Sequence, residues 1–292
     1  VSIVGALVGR NLRVFFRDRM NVFFSLLSGL ILFVLYTLFL ARLQTDGLEQ
    51  QFPQATPEEV TAFINTWMFA GIILLTTITT GLGALSALVE DGQTGRFGDF
   101  LVAPIRRSDI VLGYLLAAIA VALIMSSIVL IVSLLYLGLV DGTWLGLEQI
   151  GALVAVMVLC CTAFTALSAF AASFVRSTSA FSALSTVVGT AIGFIAGAYI
   201  PVGSLPASVV DVINVLPFSQ AAMLLRRPFT EDSLAVLADG NSTAGDSLRE
   251  FYGVDLFVGE TQLTVGIAIA VLVVVAVGFT ALAAARIRAV VR

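Results

Sequence analysis

The chain has 292 residues, 59% hydrophobic and only 12% charged, with a net charge of −4 and a mean hydropathy of +1.05. Soluble domains are about 45–50% apolar and about 25% charged, so this composition belongs in a bilayer. The chain has no His, and all 15 basic residues are Arg; that excludes His-based triads, HExxH zinc sites and haem His ligands, and also P-loop lysines, Schiff bases and Ser–Lys dyads.

A membrane helix needs about 20 mostly apolar residues. Residues 1–19 precede the first such run. Arg10, Arg13 and Arg17 lie opposite Val4, Val8, Leu12, Phe15 and Phe16 at helical spacing, which predicts an amphipathic helix on the inner leaflet. The alternative is a plain polybasic topology signal. Residues 20–41 form the first expected span. The run is longer than a typical signal-peptide core and no A-x-A site follows, so it is read as retained. Residues 42–59 are expected as an outer loop, with Thr56 and Glu59 spaced as a capping box for a second span over 60–89.

Residues 92–104 come next, at the inner side. Phe97, Phe100, Leu101 and Pro104 recur at i, i+3, i+4 and i+7, predicting a short helix with one apolar face. Arg96 and Asp99 are spaced to pair. Glu90 and Asp91, beside Arg96, read as structural ion-pair or capping groups. Ser108 is the expected cap of a third span over 110–140. A short outer turn leads to a fourth span over 149–175. Its adjacent Cys160 and Cys161 point about 100° apart and read as packing residues. Arg176 marks a tight inner turn before a fifth span over 177–201.

From Ser177 to Leu225 the one charge is Asp211, and four of the seven prolines fall between Pro201 and Pro228. Residues 202–225 therefore read as a broken, re-entrant helical hairpin on the outer side, because irregular backbone at that depth needs protein or a water-filled cavity over it. Pro201, Pro206, Pro217 and Phe218 are its candidate gate residues. The alternative is a loop lying on the membrane surface. Residues 226–260 read as an exposed, acidic outer loop, and 261–285 as the sixth span.

Six spans put both termini on one side. That side carries eleven arginines and five acids, the other four arginines and fourteen acids. The positive-inside rule makes the first side cytoplasmic. The spans carry no ionisable residue near their centres, so neither an ion-coupling carboxylate nor an intramembrane protease pair is found. No catalytic, cofactor-binding or metal-ligating residue is assigned. Two polar bands remain. Thr76, Thr77, Thr79 and Thr80 lie in the second span, and Ser182, Ser185, Thr186 and Thr190 in the fifth. They are read as facing a substrate pathway, the alternative being helix packing by small polar residues.

The run Glu90, Gly95, Leu101, Pro104, Arg106, Arg107, Ser108, Asp109, Ile110, Leu112, Gly113 resembles the loop after the second span in membrane subunits of type-2 ABC exporters. The segments Tyr199–Pro206, Leu216–Ser219 and Leu225-Arg226 resemble that family's outer re-entrant hairpin. The resemblance implies an all-α polytopic fold with six transmembrane helices, an N-terminal interfacial helix, a cytoplasmic coupling helix and the outer hairpin. It also implies a plasma-membrane permease that pairs with a second permease subunit, identical or related, amid membrane lipids. ATP and Mg would sit on a separate ABC ATP-binding subunit, with no cofactor on this chain and no nucleic acid involved. Glu90, Gly95, Phe97, Phe100, Leu101, Pro104, Arg106 and Arg107 would couple to that ATPase. An uncharged, Phe-rich path suits a lipophilic or amphipathic substrate: a drug, a lipid-linked molecule or a peptide. The competing readings are a stand-alone channel or secondary transporter and a non-transporting sensor or scaffold.

Overall fold

The computed structural model describes residues 2–102, 105–239 and 241–290. Helices α1 (Ile3–Arg17) and α2 (Arg19–Leu35) meet at a 78° bend. Asp18 makes the corner: its backbone is extended, and its carboxylate accepts from the amides of Met20 and Asn21, which caps α2. α1 lies along α7 (Arg107–Leu139) and buries Leu7, Asn11 and Phe15. This stripe differs from the expected one, whose Phe16 is exposed. Contact is close because Gly113 has no side chain; a Cβ there would fall 2.6 Å from Leu7 Cβ.

α2 continues through a π-helical turn at Tyr36–Leu40 into α3 (Ala41–Gln51). The expected outer loop over 42–59 is thus helical as far as residue 51. Two contacts hold the extra turns: Leu48 is buried in the core, and Gln44 accepts from the Tyr252 hydroxyl. The Thr56–Glu59 capping box is present, with the Thr56 amide 2.8 Å from Glu59 Oε2 and the Glu59 amide 3.3 Å from Thr56 Oγ1. It opens α4 (Pro57–Ala84), and after a turn at Leu85 the short α5 (Ser86–Gln93) carries the chain past the expected boundary at 89.

The helix expected over 92–104 is shorter, α6 (Phe97–Leu101). Gly92 and Gln93 finish α5, and Gly95 turns the chain at φ +76°. Ala103 and Pro104 lie outside the described residues. Ser108 does not cap α7; Arg106 holds the N-cap position without a side-chain bond. α8 (Leu147–Ala172) contains both cysteines, buried and free. α9 (Thr178–Ile195) is capped by Ser177, whose hydroxyl accepts from the Ala180 amide. It stops before the expected 201, where Gly197 turns the chain at φ +62°.

Among the described residues, five stretches are long and apolar enough to cross a membrane: Pro57–Gln93, Arg107–Leu139, Leu147–Ala172, Thr178–Ile195 and Val265–Ile287. The bent pair α1–α2 adds one more candidate, and the pair described next another. α4 is the central helix, packed by α2, α3, α7, α8 and α9. Its buried hydroxyls are satisfied within the helix: Thr76, Thr77 and Thr80 donate to the carbonyls of Ile72, Leu74 and Thr76, the usual way a hydroxyl is tolerated in an apolar core.

At the acidic end a 3-10 turn (Val202–Ser204) leads to α10 (Ala207–Val215), which meets α11 (Pro217–Ala238) at 87°. Pro217 forces the bend, because the residue before a proline is pushed out of the helical region; Leu216 is accordingly extended. Gln220 Nε2 donates to the carbonyls of Asn214 and Val215, closing the end of α10. The bent pair runs to Ala238, beyond the hairpin expected over 202–225.

α12 (Ser242–Phe251) and an antiparallel pair, β1 (Leu256–Val258) and β2 (Thr261–Leu263), follow. The last helix is α13 (Val265–Val290), so 261–263 are strand rather than span. The stretch 226–260 is therefore a packed cap and not an exposed loop. Its composition is polar, but Phe229, Leu234, Leu237, Leu248, Tyr252 and Leu256 all reach the core.

Arg226 anchors this cap. It is buried, and its Nη2 donates to the carbonyls of Ala196 (2.9 Å) and Gly197 (2.6 Å), its Nη1 to Gly253 (3.4 Å). The guanidinium lies 5.3 Å over the Trp67 ring, a cation–π contact. Trp67 Nε1 in turn donates to the Tyr252 carbonyl at 2.8 Å. Replacing Arg226 with Met leaves these buried carbonyls without donors and should cost about 3 kcal/mol, seen as a lower thermal midpoint of the purified protein. Arg226→Lys should recover only part, because one ammonium lacks the planar fork that spans them.

Candidate functional site

The arginine-rich end holds a buried polar cluster built from four segments. Asp91, on α5, is 1% exposed. Its carboxylate accepts from the Tyr114 hydroxyl of α7. Arg10 of α1 binds it in a fork, Nη1 to Oδ2 at 2.5 Å and Nη2 to Oδ1 at 3.1 Å. Arg96, in the turn before α6, reaches Oδ1 at 3.1 Å. Asn11 accepts from Arg10 at 2.9 Å. The hydrogen bond to Asp91 holds the Arg10 pKa above its ordinary value.

A lone carboxylate at this burial would be costly; here two cations and a hydroxyl satisfy it. The cluster therefore fixes α1, α5, the α6 turn and α7 to one another. Phe97 adds an apolar contact: it is buried, with its ring edge-on to Tyr114 at 6.1 Å. Phe100 is half-buried, and Arg10 lies 5.5 Å over its ring.

The other expected coupling residues fall around this cluster. Glu90 is exposed and meets Arg96 only at 3.5 Å. Gly95 makes the left-handed turn. Arg106 and Arg107 are exposed at the start of α7. Leu101 closes α6, but its side chain and Pro104 lie outside the described residues. Val102, which the sequence did not single out, is 88% exposed beside them.

The two polar bands separate. A groove of about 600 Å³ runs between α2, α4 and α9. Thr79, Ser185, Thr186 and Thr190 line it, with Asn21 and Ser25 from α2. Ser185 Oγ is buried there with no partner among the described residues. Thr76, Thr77 and Thr80 are buried in α4 and do not line the groove, and Ser182 is exposed on α9 outside it.

At the acidic end the expected gate residues organise the bend. Pro201 and Pro206 flank the 3-10 turn, and Pro217 opens α11. Phe218 stacks on Phe164 of α8 at 5.3 Å. Ser219 donates to the Ile195 carbonyl at 2.9 Å, tying α11 to the end of α9.

The family described as ABC-2 type transporter matches residues 3–229, from α1 into α11. The chain belongs to that family. It is thus a multi-pass membrane component of a transporter, of the permease kind that partners an ABC ATP-binding subunit. The Asp91 cluster lies within the matched residues of this ABC-2 protein, whereas α12, the β-hairpin and α13 follow them. No curated protein matches the chain.

Asp91→Asn should lower the unfolding free energy of this permease by about 2–3 kcal/mol, because both cations lose a buried counter-charge. Arg10→Gln alone should cost less, Arg10 being partly exposed. The double variant should fall short of the sum by more than about 1 kcal/mol, measured by denaturant unfolding in detergent.

Proposed function

We propose that the chain is the permease subunit of an ATP-driven exporter that moves a lipophilic or amphipathic substrate out of the cell. The observation that carries this reading is the Asp91 cluster, which makes one rigid unit of the N-terminal helix, the coupling turn and the third span. A chain without lysine has no P-loop of its own, so a force arriving from a separate ATPase needs such a firm receiver. Family membership supplies the kind of partner.

In this account both termini face the cytoplasm, in the plasma membrane. Six spans cross it: α2 with its π turn, α4–α5, α7, α8, α9 and α13. The α10–α11 pair re-enters from outside and gates release. The groove between α2, α4 and α9 lines the path, completed by a second permease subunit. ATP binding biases two states of the membrane halves, and the substrate moves because its affinity differs between them. ATP and Mg stay on the partner. A stand-alone channel or a sensor would not need the cluster's link to an exposed apolar knob at Val102.

Val102→Asp tests the docking surface without disturbing the core. It should abolish co-purification of the ATP-binding subunit, or stimulation of its ATPase, while expression and membrane insertion stay normal. Phe100→Asp should do the same. Unchanged association in both variants would refute the docking assignment.

A further inference from the structure

We propose that the arginine-rich end of the bundle carries a binding site for the phosphate headgroup of an anionic phospholipid. The site is a cavity of about 750 Å³ between α5–α6, the turn from α8 to α9, and the end of α13. Its depth in the membrane follows from the cytoplasmic orientation proposed above.

The lining has one sign of charge. Arg176 and Arg286 are its charged residues, and no carboxylate borders it among the described residues. Among the described residues, neither arginine makes an ion pair there. Arg286 sits in the last turn of the span Val265–Ile287, the level at which a long cationic side chain reaches the headgroups. Basic pockets between spans on the cytoplasmic side take anionic lipid headgroups for this reason.

The rest of the wall suits the glycerol and first acyl carbons. Leu88, Val89, Val175 and Ile287 contribute apolar surface. Phe174 is 54% exposed at the mouth, with Arg286 stacked 4.8 Å over its ring. Gly95 and Gly98 leave the opposite wall open, with nothing within 4 Å of where a Cβ would stand. This amphipathic shape favours a lipid over a soluble anion or an acidic segment of the ATPase.

Native mass spectrometry of the delipidated full chain, offered equal dioleoyl phosphatidylglycerol and dioleoyl phosphatidylcholine, tests the site. The wild type should retain phosphatidylglycerol on the order of tenfold over phosphatidylcholine. Arg176→Gln/Arg286→Gln should bring the two lipids near parity, whereas Arg13→Gln, on the N-terminal helix, should leave the preference intact. The proposal is overturned if the double variant keeps the preference. It is equally overturned if millimolar inorganic phosphate displaces the lipid. The binding assay uses neither ATP nor the ATPase, so its failure leaves the exporter reading standing, and failure of the Val102 test leaves this one standing.

Discussion

A carboxylate removed from water has to be matched by donors on every side, and that requirement organises the arginine-rich end of this protein. Asp91 is the group in question. It cannot be met from its own helix, so donors come from α1, from the turn before α6 and from α7. Three segments, one of them 81 residues away in sequence, thus share one anchor. A buried ion pair contributes little net stability because of its desolvation cost, but breaking one is costly. Such a cluster makes separation of its segments expensive, which is the property a force-transmitting joint needs.

The same helical path, Pro57 to Gln93, meets a second buried charge at its other end. There Trp67 stacks beneath Arg226, which binds carbonyls at the end of α9 and in the turn after α12. Arg226 has no carboxylate partner among the described residues, and its Nε is unpaired among them. The two ends of the central helix therefore differ in kind: an ion-paired cluster at one end, and at the other an arginine held by carbonyls and the Trp67 ring. Between them the helix buries hydroxyls that are satisfied locally, and only Thr79 opens on the groove.

Much of this was legible in the sequence. Charge-free runs located the five long apolar helices, and Thr56 with Glu59 marked the start of the central one. The Arg distribution separated the two ends. What escaped was mostly a matter of facing. Glu90 and Asp91 are alike in composition, yet Leu85, Leu88 and Asp91 share the buried side at three-residue spacing, while Glu90 turns outward. That periodicity was available. The partner of Asp91 at Arg10 was not, because nothing local links positions 81 residues apart. The cap after Arg226 was misread for the opposite reason: its acids are as many as its core residues, and the buried Phe229, Leu234, Leu237 and Leu248 are spread over too irregular a spacing to stand out. The polar bands split because hydroxyl residues that stabilise packing and those that face a cavity have the same composition.

The central claim is that α1 and the α6 turn move as one body during the ATP cycle. Spin labels at Arg13 and Val102, both exposed, report their separation directly by pulsed electron resonance in the complex with the ATP-binding subunit. The account predicts one narrow distance distribution, unchanged between nucleotide-free and ATP-bound states, that broadens in Asp91→Asn. A shift of several ångströms (a scale well above ordinary backbone fluctuation) on ATP binding with Asp91 intact would contradict it.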